Sequence, residues 1–265
     1  MKTRYWLIAL SLLILLLLWQ LAAWFGGFPA FILPTPEQVA TRFIQALLDG
    51  SLLRNTGVTL VEVVAGLILG VSVATVLGYI LARSHRLERL LSPYIVASQA
   101  IPIVAIAPLL VIWLGPGISS NVLVCALIVF FPVLVNTVVG VRTVPEDLRD
   151  LMRSLQATRW QTLKSLELPA ALPIFLGGLR IGATLAVIGA VVGEFVGAKS
   201  GLGFMVNVGR GVYDTSLVFV AVFTLIAMAL ILYGLVSLLE LRLLKWQQRP
   251  ENEVLLNQDL PEKVS

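Results

Sequence analysis

Runs of about twenty apolar residues, separated by short polar segments, dominate this sequence and restrict the folds open to it. Crossing a hydrocarbon core of about 30 Å takes roughly 20 residues of α-helix. Stretches of that kind lie near 6–25, 58–81, 94–114, 121–141, 174–197 and 217–239. None shows the short alternating pattern of a membrane β-barrel. The sequence therefore predicts an all-α integral membrane protein with about six transmembrane helices, and its 58% apolar and 13% charged residues fit that class.

The distribution of lysine and arginine predicts the orientation in the membrane. A cytoplasmic N-terminus and six helices place most cations on the inner side, as the positive-inside rule requires. The inner cations are Lys2, Arg4, Arg83, Arg86, Arg89, Arg142, Arg149, Arg153, Arg159, Lys164, Arg242, Lys245, Arg249 and Lys263, with Arg180 just inside the fifth span. The outer side keeps Arg42, Arg54, Lys199 and Arg210. Both termini are therefore expected in the cytoplasm, and the net charge of +4 requires no nucleic acid partner.

The first apolar run follows Lys2 and Arg4, and a signal peptide also begins with basic residues. A signal peptide has an apolar core of only about 7–15 residues and small residues at its cleavage site. Here the run is longer and ends in LAAWFGG, which places bulky aromatic residues where small ones are needed. We therefore expect this run to be a membrane span.

The chain divides into one transmembrane domain, 1–246, and a polar cytoplasmic tail, 247–265, that we expect to be disordered. The outer connection, 26–57, contains LPTPEQVATRFIQALL. Thr35 can cap a helix that begins at Pro36, and Glu37 or Gln38 can complete the cap, so we expect a short amphipathic helix at the outer surface. After the fifth span, the glycine-rich KSGLGFMVNVGRG predicts a re-entrant segment or a surface turn.

Few polar residues fall inside the predicted spans, where they often mark transport sites. Glu62 and Glu194 lie near the outer ends of the second and fifth spans, which favours carboxylates at the membrane interface. Gln99 and Asn136 lie deeper, and a hydrogen bond between helices is the commoner role for such residues. No span carries a series of Asp, Glu or His for proton relay. Gln99, Asn136 and Glu194 are candidates for either the transport pathway or helix packing.

Glycines recur at helical spacing in two of the spans and let helices approach closely. The second span contains Gly66 and Gly70, and the fifth contains Gly178, Gly182, Gly189, Gly193 and Gly197. Such a face serves either packing within the bundle or a subunit interface or pathway wall. Both interpretations stay open for Gly189 and Gly193.

The sequence contains no recognisable motif for catalysis or nucleotide hydrolysis. Walker A, HExxH and GxSxG are missing, and no Cys or His pair has metal spacing. Cys125 is the chain's single cysteine, so it cannot form a disulfide within the chain. We therefore expect a protein that is not an enzyme, with no catalytic residue, metal or cofactor.

The segment 147–173, DLRDLMRSLQATRWQTLKSLELPAALP, is the longest polar stretch between apolar ones. Its apolar residues recur at helical spacing among several arginines, and Pro169 and Pro173 lie at its end. This pattern predicts an amphipathic helix and a turn outside the membrane, on the cytoplasmic side. The helix could lie on anionic lipid or present a face to a soluble partner.

This segment resembles the cytoplasmic coupling loop, the EAA motif, of binding-protein-dependent ABC importer permeases. The motif runs from EAA through a glycine to a Leu-Pro pair, and its places are taken by Asp150, Leu151, Met152, Gln156, Leu168 and Pro169. Similarity extends over nearly the whole chain, through LPTPEQV, VIWLGPG, FFPVLVNTVVGVRTV and AVIGAVVGEFVGAKSGLGF. Because the glycine is missing, the motif's tight turn must be made by Gln156, which adopts a positive φ less readily.

The resemblance implies the fold of a type I ABC importer permease in the cell membrane, with a coupling loop at about 142–173. It implies two cytoplasmic ATPase subunits, a second permease copy in a homodimer, and a periplasmic or lipid-anchored substrate-binding protein as partners, besides membrane lipid. A coupling helix, about 147–160, would occupy a groove on each ATPase. Met152, Leu155 and Trp160 would be its apolar anchors, and Arg153 and Arg159 would add charge at the rim.

The resemblance points less sharply to a substrate. DLMRSL in the coupling loop and AVIGAVVGEFVGA in the fifth span are similar to permeases for riboflavin and for the pyrimidine precursor of thiamine. Permeases for nitrate, sulfonates and taurine are the alternative. Few buried cations favour an uncharged solute, and we expect Arg180 to reach the inner interface. An ion-coupled secondary transporter is a remote further alternative.

Overall fold

The computed structural model describes residues 2–245, except for the side chains of 2–5, 8, 9, 12, 98 and 99, and this part of the chain is helical with no strand. Its helices are α1 (Lys2–Phe25), α2 (Pro36–Leu48), α3 (Ser51–Arg83), α4 (His85–Gln99), α5 (Ile103–Leu114), α6 (Ile118–Arg142), α7 (Glu146–Ser154), α8 (Arg159–Thr162), a π-helical turn (Leu163–Glu167), α9 (Leu168–Gly197), α10 (Leu202–Gly211) and α11 (Thr215–Leu243).

Four helices are long and apolar enough to cross a membrane: α3, α6, the continuous helix Arg159–Gly197 and α11. Two shorter apolar helices, Leu13–Phe25 within α1 and Ile103–Leu114, lie where the first and third spans were predicted. These helices confirm the predicted all-α membrane fold. The predicted polar tail, 247–265, lies outside the described residues.

The predicted third span, near 94–114, is wrong as a single helix, because the chain forms α4 and α5 there. Pro102 is the N-cap residue of α5. A proline disfavours the helical conformation in the residue before it, so α4 cannot continue through Ile101. The second helix, α5, has 12 residues, which span about 18 Å and fall short of a hydrocarbon core.

The centre of the bundle consists of α3, α6 and α9. α3 and α6 run parallel, since Gly66 packs against Cys125 and, further along both helices, Gly78 packs against Thr137. A Cβ atom on Gly78 would lie 2.8 Å from Cβ of Thr137. Only glycine therefore permits this approach of the two helices.

α9 packs antiparallel against α6, and its glycines form the contact. Gly178 meets Asn136, and Gly189 meets Cys125 at the other end of the interface. A Cβ atom on Gly189 would lie 2.7 Å from Cα of Cys125, and Gly193 is packed as closely. The structure thus places Gly189 and Gly193 in an interface between helices of the same chain.

The fifth span begins much earlier than predicted. The predicted span starts near 174, but α8, the π-helical turn and α9 form one helix, Arg159–Gly197. Pro169 and Pro173 therefore lie inside a helix and do not close a turn. Pro169 has no N–H to donate to the carbonyl of Ser165, and the preceding π-helical turn rearranges the hydrogen bonds at this point.

We call the end of the bundle that carries α7 the inner end, and the opposite end the outer end, following the predicted orientation. At the outer end, α2 is the predicted amphipathic helix. Thr35 accepts a hydrogen bond from the backbone N–H of Gln38, whose side chain accepts one from the N–H of Thr35. Arg42 on α2 pairs with Asp214 at 2.8 Å. This pair ties α2 to the start of α11.

The segment after the fifth span, predicted as a re-entrant segment or a surface turn, is a short helix and not a turn. α10 buries Leu202, Met205 and Val206 against the bundle. Its apolar residues are spaced for one helical face, and this pattern outweighs the low helix propensity of its glycines.

Candidate functional site

α7 is an amphipathic helix at the inner end whose apolar face is uncovered. None of its residues is buried, and Leu148, Leu151 and Leu155 are exposed at a spacing that places them on one face. Leu155 is 68% exposed, and Trp160, at the start of the next helix, is 69% exposed. Met152 is half-buried. The structure therefore offers a small apolar surface at this end of the bundle.

Charged side chains border that surface. Arg153 donates a hydrogen bond to Asp150 at 2.8 Å, one turn earlier on the exposed side of α7. Arg159 is exposed at the start of α8. An exposed pair one turn apart contributes only about 0.2–0.5 kcal/mol, so its charges are available to a partner.

The turn that ends α7 lies at Gln156, as the sequence predicted. Gln156 has φ of +52°, the N–H of Gln156 donates to the carbonyl of Arg153, and the N–H of Ala157 donates to the carbonyl of Met152. These bonds form a Schellman motif, whose left-handed position glycine usually occupies. The predicted coupling helix at about 147–160 is therefore wrong in its length, since α7 ends at Ser154.

The next helix starts with a capping box. Thr158 accepts from the N–H of Gln161, and the Gln161 side chain accepts from the N–H of Thr158. Residues 155–158 are thus a defined turn between two capped helix ends. Trp160, Leu168 and Pro169, which were predicted in the loop, all lie within the continuous helix that follows it.

Two arginines connect α7 and α6 to the rest of the inner end. Arg149 on α7 donates to the carbonyl of Val141 at 2.7 Å. Arg142 on α6 donates to Glu88 on α4 and to the carbonyl of Leu81 on α3. The hydrogen bond from Arg142 lowers the pKa of Glu88 below its ordinary value. α7 is therefore fixed to the bundle through α6.

Glu167, which was not among the predicted site residues, is the buried carboxylate of the inner end. It is 1% exposed and accepts hydrogen bonds from Arg83 at 2.8 Å and from the Tyr79 hydroxyl at 3.1 Å. The sequence signal for this residue was its acidic side chain directly before the Leu-Pro pair. Its burial could not be predicted from that signal, because its partners lie more than 80 residues away in the sequence. Tyr79 and Glu167 also line a cavity of about 420 Å³ between α3, α6 and α9.

Glu194 lies at the outer end, where an interfacial carboxylate was predicted, but it is buried. Its carboxylate accepts hydrogen bonds from the Thr59 hydroxyl at 2.6 Å and from the N–H of Gly203. The N–H of Leu202 donates to Thr59 at 2.8 Å, and that of Gly201 donates to Asn55 at 2.7 Å. The first N–H groups of α10 are thus capped by side chains of α3 and α9.

Glu62 is also buried, contrary to the same prediction. One carboxylate oxygen accepts from the Asn121 side chain at 2.8 Å, and the carboxyl group also interacts with that of Glu194. Glu62 and Asn121 line a cavity of about 130 Å³. Within residues 2–245, no group of three His, Cys, Asp or Glu side chains could hold a metal ion.

Of the two deeper polar residues and Arg180, Asn136 differs from its prediction. Asn136 donates to the carbonyl of Pro132 in its own helix at 2.8 Å, where a bond between helices was predicted. The backbone of Gln99 ends α4, and its side chain lies outside the described residues. Arg180 was expected to reach the inner interface, and it forms an ion pair with Glu240 in the last turn of α11, at the inner end.

Comparison with known proteins identifies the class of this chain. The family of binding-protein-dependent transport system inner membrane components matches residues 66–245. The chain is 48% identical to the riboflavin transport system permease protein RibX of Chloroflexus aurantiacus, over 89% of this chain and 88% of that protein. It is 36% identical to the formylaminopyrimidine transport permease protein ThiX of Halalkalibacterium halodurans, over 91% and 95%.

A more distant relative is named for another substrate, and a solved structure has a similar fold. The chain is 30% identical to the taurine transport system permease protein TauC of Escherichia coli, over 89% of this chain and 88% of that protein. An inward-facing structure of the MetNI methionine ABC transporter superposes with a TM-score of 0.66 at 17% identity, over 74% of this chain and 97% of that chain. The chain belongs to the family of binding-protein-dependent transport system inner membrane components, and is the non-catalytic, multi-pass permease subunit of an ABC importer.

Proposed function

We propose that this permease forms the pathway for riboflavin or for a pyrimidine precursor of thiamine. The observation that carries the proposal is the 48% identity to RibX over 89% of the chain. Among the relatives compared above, ThiX has the next highest identity, 36%, and its name refers to formylaminopyrimidine transport. Riboflavin and the pyrimidine precursor of thiamine are both heterocyclic compounds. The same kind of apolar, largely uncharged pathway would therefore serve either solute.

The charges inside the bundle support an uncharged solute. Arg180 lies within the helix Arg159–Gly197, and its charge is matched by Glu240. An anionic solute such as taurine or another sulfonate would gain from an unmatched cation along its route. Taurine, aliphatic sulfonates or nitrate are the second candidates, because TauC is also a relative.

We further propose that α7 and the turn at Gln156 dock onto a cytoplasmic ATPase. The exposed leucine face of α7 and the exposed Trp160 would fill a groove, and Asp150, Arg153 and Arg159 would lie at its rim. Such a helix is fixed to α6 by Arg149, so a displacement of α7 would reach the spanning helices. An inner-surface helix that only contacts lipid would not need this attachment.

The proposed assembly contains two permease copies, two ATPases and one soluble or lipid-anchored binding protein. The family name itself refers to a binding protein. A single chain has only four helices that are long enough to cross the membrane among its described residues. A second copy would complete the walls of a pathway.

Uptake by the complete transporter tests the substrate. The permease is co-expressed with its neighbouring ATPase and binding-protein genes, purified and reconstituted in liposomes with internal ATP. We expect uptake of labelled riboflavin that requires ATP and the binding protein and that excess taurine does not reduce. If the vesicles accumulate taurine and not riboflavin or the pyrimidine, the proposed substrate class is wrong.

The energy source has its own test. A neutral variant, Asp150→Asn with Arg153→Gln, should lower uptake while the amount of permease in the membrane stays normal. A secondary transporter would keep its uptake in this variant and would work without the ATPase.

A further inference from the structure

We propose that Glu167 is a positioning residue that couples movement of the loop containing α7 to α3. Its carboxylate joins the start of the fifth spanning helix to the inner end of α3 through Arg83 and Tyr79. This proposal rests on the proposed docking of an ATPase to α7. It adds the connection by which that docking would move a second spanning helix.

The burial of Glu167 makes this connection strong. The carboxylate is 1% exposed, whereas the Arg83 side chain is 32% exposed and its guanidinium lies over the Tyr79 ring. A buried carboxylate without a cationic partner is strongly unfavourable. Arg83 therefore has to follow Glu167 when the fifth helix moves, and α3 has to follow Arg83.

Glu167 is the last residue of a π-helical turn between α8 and α9. The N–H of Leu168 donates to the carbonyl of Leu163, five residues earlier, so this turn contains one residue more than an α-helical turn. One residue of an α-helix corresponds to a rotation of about 100°. The turn therefore rotates α8 relative to α9 about the helix axis, and single π-helical turns of this kind are frequent at functional sites.

The same turn is a place where the helix could bend. It lies between α8, which follows the turn at Gln156, and α9, which crosses the bundle. Pro169 and Pro173 remove two further backbone donors just beyond it. Without a second attachment, a push on α8 could be absorbed here. The bonds from Arg83 and Tyr79 hold the turn at its last residue and transmit the displacement.

The attachment of α7 to the bundle does not depend on Glu167. Arg149 holds α7 to the end of α6, and Arg142 holds α6 to α3 and α4. A variant that loses the Glu167 contacts should therefore still present α7 to the ATPase. The expected defect is a loss of transport for each ATP hydrolysed, with the ATPase still bound.

The test compares transport and ATP hydrolysis in the complete transporter in liposomes. Glu167→Gln should bind the ATPase normally and lower the ratio of solute transported to ATP hydrolysed by about tenfold, within the usual range of coupling effects. Since Glu167→Gln leaves Arg83 without its acidic partner, the double variant Glu167→Gln with Arg83→Gln removes both charges and should show the same low ratio. Arg83→Lys keeps the charge and should retain most of the coupling.

The matched control is the ion pair at the outer end, Arg42 with Asp214, which also measures 2.8 Å. Arg42→Gln with Asp214→Asn should leave the ratio unchanged. If the Glu167 variants lower transport and ATP hydrolysis in equal proportion, Glu167 only stabilises the fold and the proposal is wrong. An unchanged ratio at full activity also overturns it while the docking proposal stands. A wild-type permease that binds no ATPase overturns both.

Discussion

The outer end of the bundle buries Glu62 and Glu194 and the inner end buries Glu167, and the donors to Glu194 differ from those to Glu167. Glu194 at the outer end accepts from a hydroxyl and a backbone N–H, in a cluster closed by Gly201 and Gly203. Glu167 at the inner end accepts from a partly exposed arginine and a tyrosine. A Cβ atom at Gly201 or Gly203 would lie within 3 Å of the Glu194 carboxylate, so this outer cluster is closely packed, whereas the inner one lies beside a cavity of about 420 Å³.

This difference indicates which end is built to hold its shape and which is built to move. Backbone donors at a capped helix end are fixed in position by the helix itself. The ion pair of Glu167 with Arg83 instead joins two helices, so a displacement of one helix would be passed to the other. We therefore expect substitutions at the outer end to affect stability, and substitutions at the inner end to affect coupling.

The largest expected loss of stability is at Glu194. Glu194→Ala leaves the N–H of Gly203 without its buried acceptor and also opens a cavity, at a cost of about 2–5 kcal/mol. Thermal unfolding of the detergent-solubilised protein should show a clear drop in Tm. Glu37→Ala, an exposed position on α2, is the control and should change little. An unchanged Tm for Glu194→Ala would contradict the rigid outer cluster.

A smaller loss is expected at Gly203, the neighbour of Glu194. A Cβ atom there would lie 2.8 Å from the Glu194 carboxylate and 3.0 Å from its Cβ. Gly203→Ala should therefore cost about 1–3 kcal/mol through overpacking. Gly177→Ala is the matched control, since a Cβ atom at Gly177 meets nothing within 4 Å. Equal Tm values for the two variants would show that the outer cluster can accommodate a Cβ atom at Gly203, contrary to this account.

At the inner end, one substitution should increase local stability. Gln156→Gly removes the cost of a left-handed conformation, about 1–2 kcal/mol for a residue with a side chain. Hydrogen exchange of the Ala157 N–H, which closes the turn, should become at least about fivefold slower. Gln156→Ala keeps the penalty and should not slow exchange. Faster exchange in the glycine variant would mean that the Gln156 side chain itself holds the turn.

The smallest effect concerns the ion pair between α4 and α6. The hydrogen bond from Arg142 lowers the pKa of Glu88, so the pair stabilises the fold above the ordinary glutamate pKa. That contribution is lost as the pH falls through the lowered pKa of Glu88. The wild-type Tm should therefore fall slightly more than that of Glu88→Gln between pH 7 and acidic pH. Parallel curves for the two proteins would contradict this.

The turn at Gln156 was expected only from the resemblance to the EAA motif, in which a glycine takes that place. Local signals in the sequence were sufficient for α2, because Thr35, Pro36 and Gln38 form a cap within four residues. Length and hydropathy were likewise sufficient for α3, α6 and α11. In each case the cause lies within the segment itself.

The remaining features depend on contacts between distant segments. The start of the fifth helix at Arg159 could not be predicted from its polar composition, because the burial of Glu167 depends on Arg83 in another helix. The burial of Glu194 depends in the same way on Thr59 and on the start of α10. Hydropathy treats both glutamates as surface residues, since it contains no information on their partners.

The exposed leucine face of α7 provides the most direct test of the proposal that an ATPase docks at the inner end. Leu151→Asp with Leu155→Asp places charges on that face without removing a buried contact. The measurement is the amount of ATPase that co-purifies with the permease, compared with Leu48→Asp, an exposed leucine at the outer end. We expect the α7 variant to lose its ATPase at a normal membrane level, and the control to keep it. Full retention of the ATPase by the α7 variant would contradict the proposed docking.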